Sequence, residues 1–166
     1  MDSSLSKLSI GGLKLSSELV QIRLLPNSGS TVQEMFRRLT DHRINLTMVS
    51  LDATDGELTG ICCIFEEDRG QAELALQPLA AAVDMLSPVG ALTIFPHQSR
   101  LLLIENILSA MGRNGLPVYG LASSHSALTL TTDYCRLDDA VSAVCRIVSL
   151  PENHAPFRPE FRVRQL

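Results

Sequence analysis

The residues best suited to chemistry lie in one short stretch, Asn27-Ser28-Gly29-Ser30-Thr31. All five are small and polar, and none is ionisable. They follow an apolar run and lead straight into a helical pattern, which would place their backbone N–H groups at a helix N-terminus. Free donors and the helix dipole favour an anion such as a carboxylate there. Asn45, at the start of the next apolar run, offers a carboxamide that both donates and accepts. An amino acid needs both, donors for its carboxylate and an acceptor for its ammonium. The plainer alternative is that Ser30 and Thr31 only cap the helix and Asn45 only satisfies local backbone.

Other polar groups form no constellation. The loop His97-Gln98-Ser99-Arg100 carries a cation but reads as a solvated connection. His42, His97, His125 and His154 are scattered and lack ligand spacing. Ser123-Ser124-His125 suggests a nucleophile and a base, yet adjacent side chains on an extended chain point to opposite sides. Cys62 and Cys63 are neighbours on a strand pattern and so face opposite ways, and Cys135 and Cys145 complete no C-x-x-C. The expectation is four free thiols, no catalytic residue, no metal site and no cofactor.

The elements that must hold these residues follow from periodicity. Glu18 to Leu25 reads as a strand ending in the loop that starts at Pro26. Thr31 with Glu34, and Ser30 with Gln33, have capping-box spacing. Val32, Met35, Phe36 and Leu39 then form one apolar helical stripe. Ile44 to Leu51 and Leu58 to Phe65 form a hairpin about a turn containing Asp-Gly. A helix opens between Glu66 and Gly70 and runs to about Val83, with a break expected at Pro78.

The pattern then repeats. Val89 to Phe95 is a strand, Ile104, Ile107, Leu108 and Met111 form a stripe, and Gly115 with Pro117 supplies a stop. Leu116 to Ser123 and Ala127 to Thr132 form a second hairpin, and Leu137, Val141, Val144 and Val148 a closing helix. Pro26 and Pro96 are 70 residues apart, and Ile44 and Leu116 are 72 apart, as a slightly longer second helix would require. Two copies of one supersecondary unit, strand-helix-strand-strand-helix, imply an α+β fold with helices on one face of antiparallel sheets. Each unit lacks a final strand. Val83 to Val89 leaves no room for a separate long one, so Glu160 to Gln165, after the loop Pro151 to Pro159, is the candidate. Leu101-Leu102-Leu103-Ile104 is apolar all round its helix and predicts a second buried face, against the other repeat or another subunit, unless it only thickens the core of its own chain.

Composition sets the outer limits. At 45% hydrophobic over 166 residues, the chain can build one sizeable core or two small ones. A net charge of -4 gives no general pull toward nucleic acid. The basic cluster Arg158, Arg162 and Arg164 alternates in part with Phe161 and Val163, as the wet side of a strand would. The longest apolar stretch, Ala72 to Leu86, is too short to span a bilayer, and the N-terminus lacks a signal-peptide apolar region. The expectation is a cytoplasmic protein with no membrane contact.

These pieces together resemble an ACT domain, and two in tandem resemble the regulatory region of aspartate kinases. SIGGLKLSSELVQIRLL is similar to the opening strands of that region, and DHRINLTMVSL to its helix-to-strand junction. VGALTIF, LASSHSALTL and RLDDAVSAVCRIV are similar to the second unit, and EFRVRQ to its last strand. The resemblance implies two ferredoxin-like βαββαβ units, one inserted in the other, with the last strand returning to the first unit. It divides the chain into an N-terminal segment 1–14, unit one at 15–87, unit two at 88–150, and a loop and strand at 151–166.

It also implies a non-catalytic regulatory module that binds an amino-acid effector near subunit contacts of a homodimer. A ligand-free interaction module, or a regulatory partner of a separate aspartate kinase chain, remains open beside that reading. Nothing in these residues resembles the kinase domain. Pro26-Asn27-Ser28-Gly29-Ser30 replaces the usual Asp-x-Pro-Gly loop, and Pro117 stands where the second unit's Asn is expected. The resemblance therefore places the effector at Asn27, Ser28, Gly29, Ser30, Thr31 and Asn45, in altered form.

Overall fold

A computed structural model describes residues 7–25, 31–96 and 100–158. In chain order it forms β1 (Leu8–Ser9), β2 (Gly12–Leu15), β3 (Leu19–Leu24), α1 (Thr31–Asp41), β4 (Met48–Thr54), β5 (Glu57–Phe65) and α2 (Arg69–Leu76). There follow β6 (Val83–Phe95), α3 (Leu101–Arg113), β7 (Gly120–Ser123), β8 (Leu128–Asp133), α4 (Leu137–Cys145) and β9 (Val148–Ser149). Residues 18–89 make one compact unit, inserted between the two pieces, 1–17 and 90–166, of the other. No helix among the described residues is long and apolar enough to cross a membrane.

The inserted unit takes its register from a tight turn. Asp55 and Gly56 both have positive φ, 53° and 82°. That is the type I′ geometry whose twist suits a two-residue hairpin. It pairs Thr54 with Glu57 and, six residues on, Met48 with Cys63. β5 then pairs antiparallel with β3, and β3 with the first half of β6, giving the strand order β4-β5-β3-β6. Counted along the chain this is order 2-3-1-4, a complete βαββαβ frame. Val20, Ile22, Leu24, Cys62 and Ile64 of the sheet form one buried cluster with Val32, Met35 and Leu39 of α1 and Ala72 and Leu76 of α2. Burying each of the larger aliphatic side chains contributes about 1.5–3 kcal/mol. Pro78 sits in a short 3-10 turn directly after α2, where it stops the helix.

The split unit repeats that frame with one substitution of parts. Its strand order is β2-β6-β8-β7, the second half of β6 serving as first strand. The outer position belongs to β2, whose Leu13 lies opposite Ile94 and Leu15 opposite Leu92. Thr93 and Thr129 join β6 to β8 through their hydroxyls at 2.9 Å. Leu13, Leu92, Ile94, Leu128 and Leu130 pack with Leu103, Ile107 and Met111 of α3 and Leu137 and Val144 of α4. Gly90 lets α4 approach closely, since a Cβ there would stand 2.5 Å from a Leu137 methyl. After α4 the chain forms β9, parallel to β1 with Leu8 opposite Val148. It then crosses to β2, where the Phe157 carbonyl accepts the Leu15 N–H at 2.8 Å.

Both long helices end in the same backbone device. Past α3, Leu116 N–H donates to Met111 C=O and Gly115 N–H to Gly112 C=O, both at 3.0 Å, with Gly115 at φ 58°. Past α1, Ile44 N–H donates to Leu39 C=O and Arg43 N–H to Thr40 C=O, both at 2.9 Å, with Arg43 at φ 56°. Each is a Schellman motif whose C″ residue is a buried hydrophobe, Ile44 or Leu116. The two-residue difference in repeat spacing is the difference between 11 residues in α1 and 13 in α3.

Three expectations need correction. Residues 83–89 do hold a strand, because β6 runs unbroken for 13 residues through Pro88. At the outer edge of a sheet a missing N–H is tolerated, so Pro88 is not the stop it resembles. The N-terminal segment is no separate piece: β2 completes the split unit. Val148 belongs to β9, since α4 ends at Cys145. The proposed strand at Glu160 to Gln165 lies outside the described residues.

Gly60 and Arg43 yield opposite predictions. Gly60 has φ 144°, and a Cβ there would overlap the backbone carbonyl oxygen of Ser50 on β4. Gly60→Ala should cost about 2 kcal/mol or more in urea unfolding, because backbone must move to admit the methyl. Arg43→Gly should raise stability by about 0.5–1 kcal/mol in the same assay, since glycine relieves the left-handed strain but loses more chain entropy.

Candidate functional site

α1 follows β3 in the chain and begins at Thr31. Asn27, Ser28, Gly29 and Ser30 lie outside the described residues. Thr31, the first residue of α1, is buried at 8% exposure. That burial fits helix packing and capping better than a side chain presented to ligand.

Asn45 is exposed, but it is not on the strand where periodicity placed it. β4 begins only at Met48. Asn45 lies instead in a short link held at both ends. Ile44 is tied to Leu39 by the Schellman bond, and Thr47 donates both its N–H, at 2.8 Å, and its hydroxyl, at 3.2 Å, to the Cys63 carbonyl. The link is fixed by backbone hydrogen bonds, and the Asn45 side chain is left at the surface.

Of the expected site only Thr31 and Asn45 are described, and they lie at opposite ends of α1. Leu24 pairs with Gly60, which pairs with Leu51, while Gln21 pairs with Cys63, which pairs with Met48. β4 therefore runs in the direction of β3, and Asn45 precedes its starting end. Residues 26–31 follow the finishing end of β3. The 11 residues of α1 between them span about 16 Å. One small ligand cannot touch Thr31 and Asn45 within a single unit.

The outer face of α1 is charged and internally matched. Glu34 accepts two hydrogen bonds from Arg37, at 3.0 and 2.8 Å, and pairs with Arg38 Nε at 2.7 Å. Arg37 also reaches Asp41 at 2.9 Å. The Arg37 hydrogen bonds hold the Glu34 carboxyl below its usual range. Two acids and two bases neutralise one another here. Exposed pairs of this kind add little stability.

Arg136 and Arg146 of the split unit are likewise engaged. Arg136 donates to the Gly115 and Asn114 carbonyls at 2.6 and 3.3 Å, and Arg146 to Asn114 Oδ1 at 3.4 Å. Cations at the last carbonyls of α3 complement its dipole. Tyr119 donates to Asp133 at 2.6 Å, which raises the tyrosine pKa. Ser124 closes the β7–β8 turn, its hydroxyl donating to the Ala127 carbonyl at 3.2 Å and accepting the Ala127 N–H at 3.1 Å.

Among the described residues no three His, Cys, Asp or Glu side chains gather to hold a metal. All four cysteines are free, and burial pushes the Cys62 and Cys63 thiols up to about 12. The apolar start of α3 divides: Leu103 is 1% exposed, whereas Leu101 and Leu102 are 77% and 59% exposed. The excess of leucine was legible in the sequence, and within the single chain those two positions are exposed. Arg100 is exposed, and His97, Gln98 and Ser99 lie outside the described residues.

No family model matches the chain. No curated protein matches it in sequence. Solved structures do match in fold. The regulatory subunit of aspartate kinase from Thermus flavus is 16% identical, with a TM-score of 0.71 over 83% of this chain and 97% of that one. The ligand-free regulatory subunit from Thermus thermophilus is 17% identical, with a TM-score of 0.72 over 84% and 99%. E. coli aspartokinase III in complex with lysine and aspartate is 12% identical, with a TM-score of 0.61 over 86% of this chain and 34% of that one. The fold is thus the tandem ACT arrangement of aspartate kinase regulatory regions.

Thiol labelling reads this site chemistry directly. With a maleimide at mildly alkaline pH, exposed Cys135 should react first, and Cys62 and Cys63 only on unfolding. Fast modification of either buried thiol in the folded protein would contradict this placement.

Proposed function

We propose that the chain is a non-catalytic, cytoplasmic regulatory module that binds an amino acid through the turn Asn27-Ser28-Gly29-Ser30, the α1 N-terminus at Thr31, and Asn45. Its effect would be exerted through dimer or enzyme-partner contacts. The observation that carries this reading is the span of the likeness, which covers 97% and 99% of two regulatory subunits. The kind of ligand is suggested by the lysine and aspartate bound to E. coli aspartokinase III.

The placement of Thr31 and Asn45 adds a physical condition. In this reading a ligand held by both the turn and the Asn45 carboxamide takes them from two copies of the chain, since the length of α1 separates Thr31 from Asn45. Binding then favours the dimer over the monomer, because only the dimer presents both halves. A ligand acts on such an equilibrium solely through its differential affinity for the two states. The same full-length likeness supports a second reading, in which the chain is the regulatory partner of a separate aspartate kinase. Co-purification with such a chain would favour it.

The test is a thermal-shift series over the twenty amino acids at millimolar concentration, with sedimentation velocity on any that respond. An effector at about 100 times its Kd should stabilise the protein by about 2.7 kcal/mol and raise Tm by about 5–10 °C. It should also shift the protein from monomer to dimer. Asn45→Ala should remove both responses and leave the Tm of the ligand-free protein within about 1 °C, since the side chain is exposed. No response to any amino acid would overturn the ligand reading. A thermal response without a change in mass would overturn the shared site.

A further inference from the structure

We draw no further inference here: the strongest candidate, the exposed leucine face of α3 formed by Leu101, Leu102 and Leu108, carries nothing because nothing in the structure shows what covers it.

Discussion

Everything in this chain depends on β6 being two strands in one. Its first half is the fourth strand of the inserted frame, and its second half is the first strand of the split frame. The two roles make different demands on sequence. In the inserted unit β6 lies at the end of the strand order, so residues 84–88 are half-buried or exposed and Pro88 is tolerated. In the split unit it lies between β2 and β8, and Gly90 to Leu92 are all buried. Such two-sided burial reads as a continuous apolar run rather than an alternation.

That double role explains how the N-terminus is used. A frame that begins on the second half of β6 still needs an outer strand beside it, and the chain has β2 available from before the inserted unit began. Leu13 and Leu15 are fully or nearly fully buried there, so β2 is part of the core and not a trailing end. The Leu15 N–H on its far side is satisfied by the Phe157 carbonyl, and Arg158 pairs with Asp138 at 3.0 Å. Two of the contacts that hold the split unit, Leu15 with Phe157 and Leu8 with Val148, join residues more than a hundred positions apart. Closing such loops is entropically costly but grows only slowly with their length.

What could be read in advance follows from range. β3, α1, β5 and the Asp-Gly turn are set by local periodicity and turn chemistry, and they stand where the pattern put them. The 70- and 72-residue repeat spacings likewise report helix length, a local quantity. The continuity of β6 was hidden because Pro88 resembles a stop, and only pairing with β3 reveals that it stands at an edge. The role of β2 was hidden because four residues, GLKL, gain their meaning from β6, some eighty positions away. Val148 was misread because its spacing from Val144 suits another helical turn as well as a strand. For the site, residue types suggested what Asn45 could bind, but not that the Schellman motif would delay the strand until Met48.

The two frames are alike where geometry is unforgiving and different where it is not. Both long helices finish in a Schellman motif closed by a buried hydrophobe, and both hairpins lead through a 3-10 turn into a second helix. Any change at those points must be answered by backbone movement, which a packed interior resists. The outer helix faces carry no such constraint. α1 presents the matched set Glu34, Arg37, Arg38 and Asp41, whereas α3 presents Leu101, Leu102 and Leu108. A scaffold shared with many functions leaves the assignment of function to sites, not to the frame. In this chain the two frames differ most on the outer surfaces of two otherwise equivalent helices, one matched in charge and the other rich in exposed leucine.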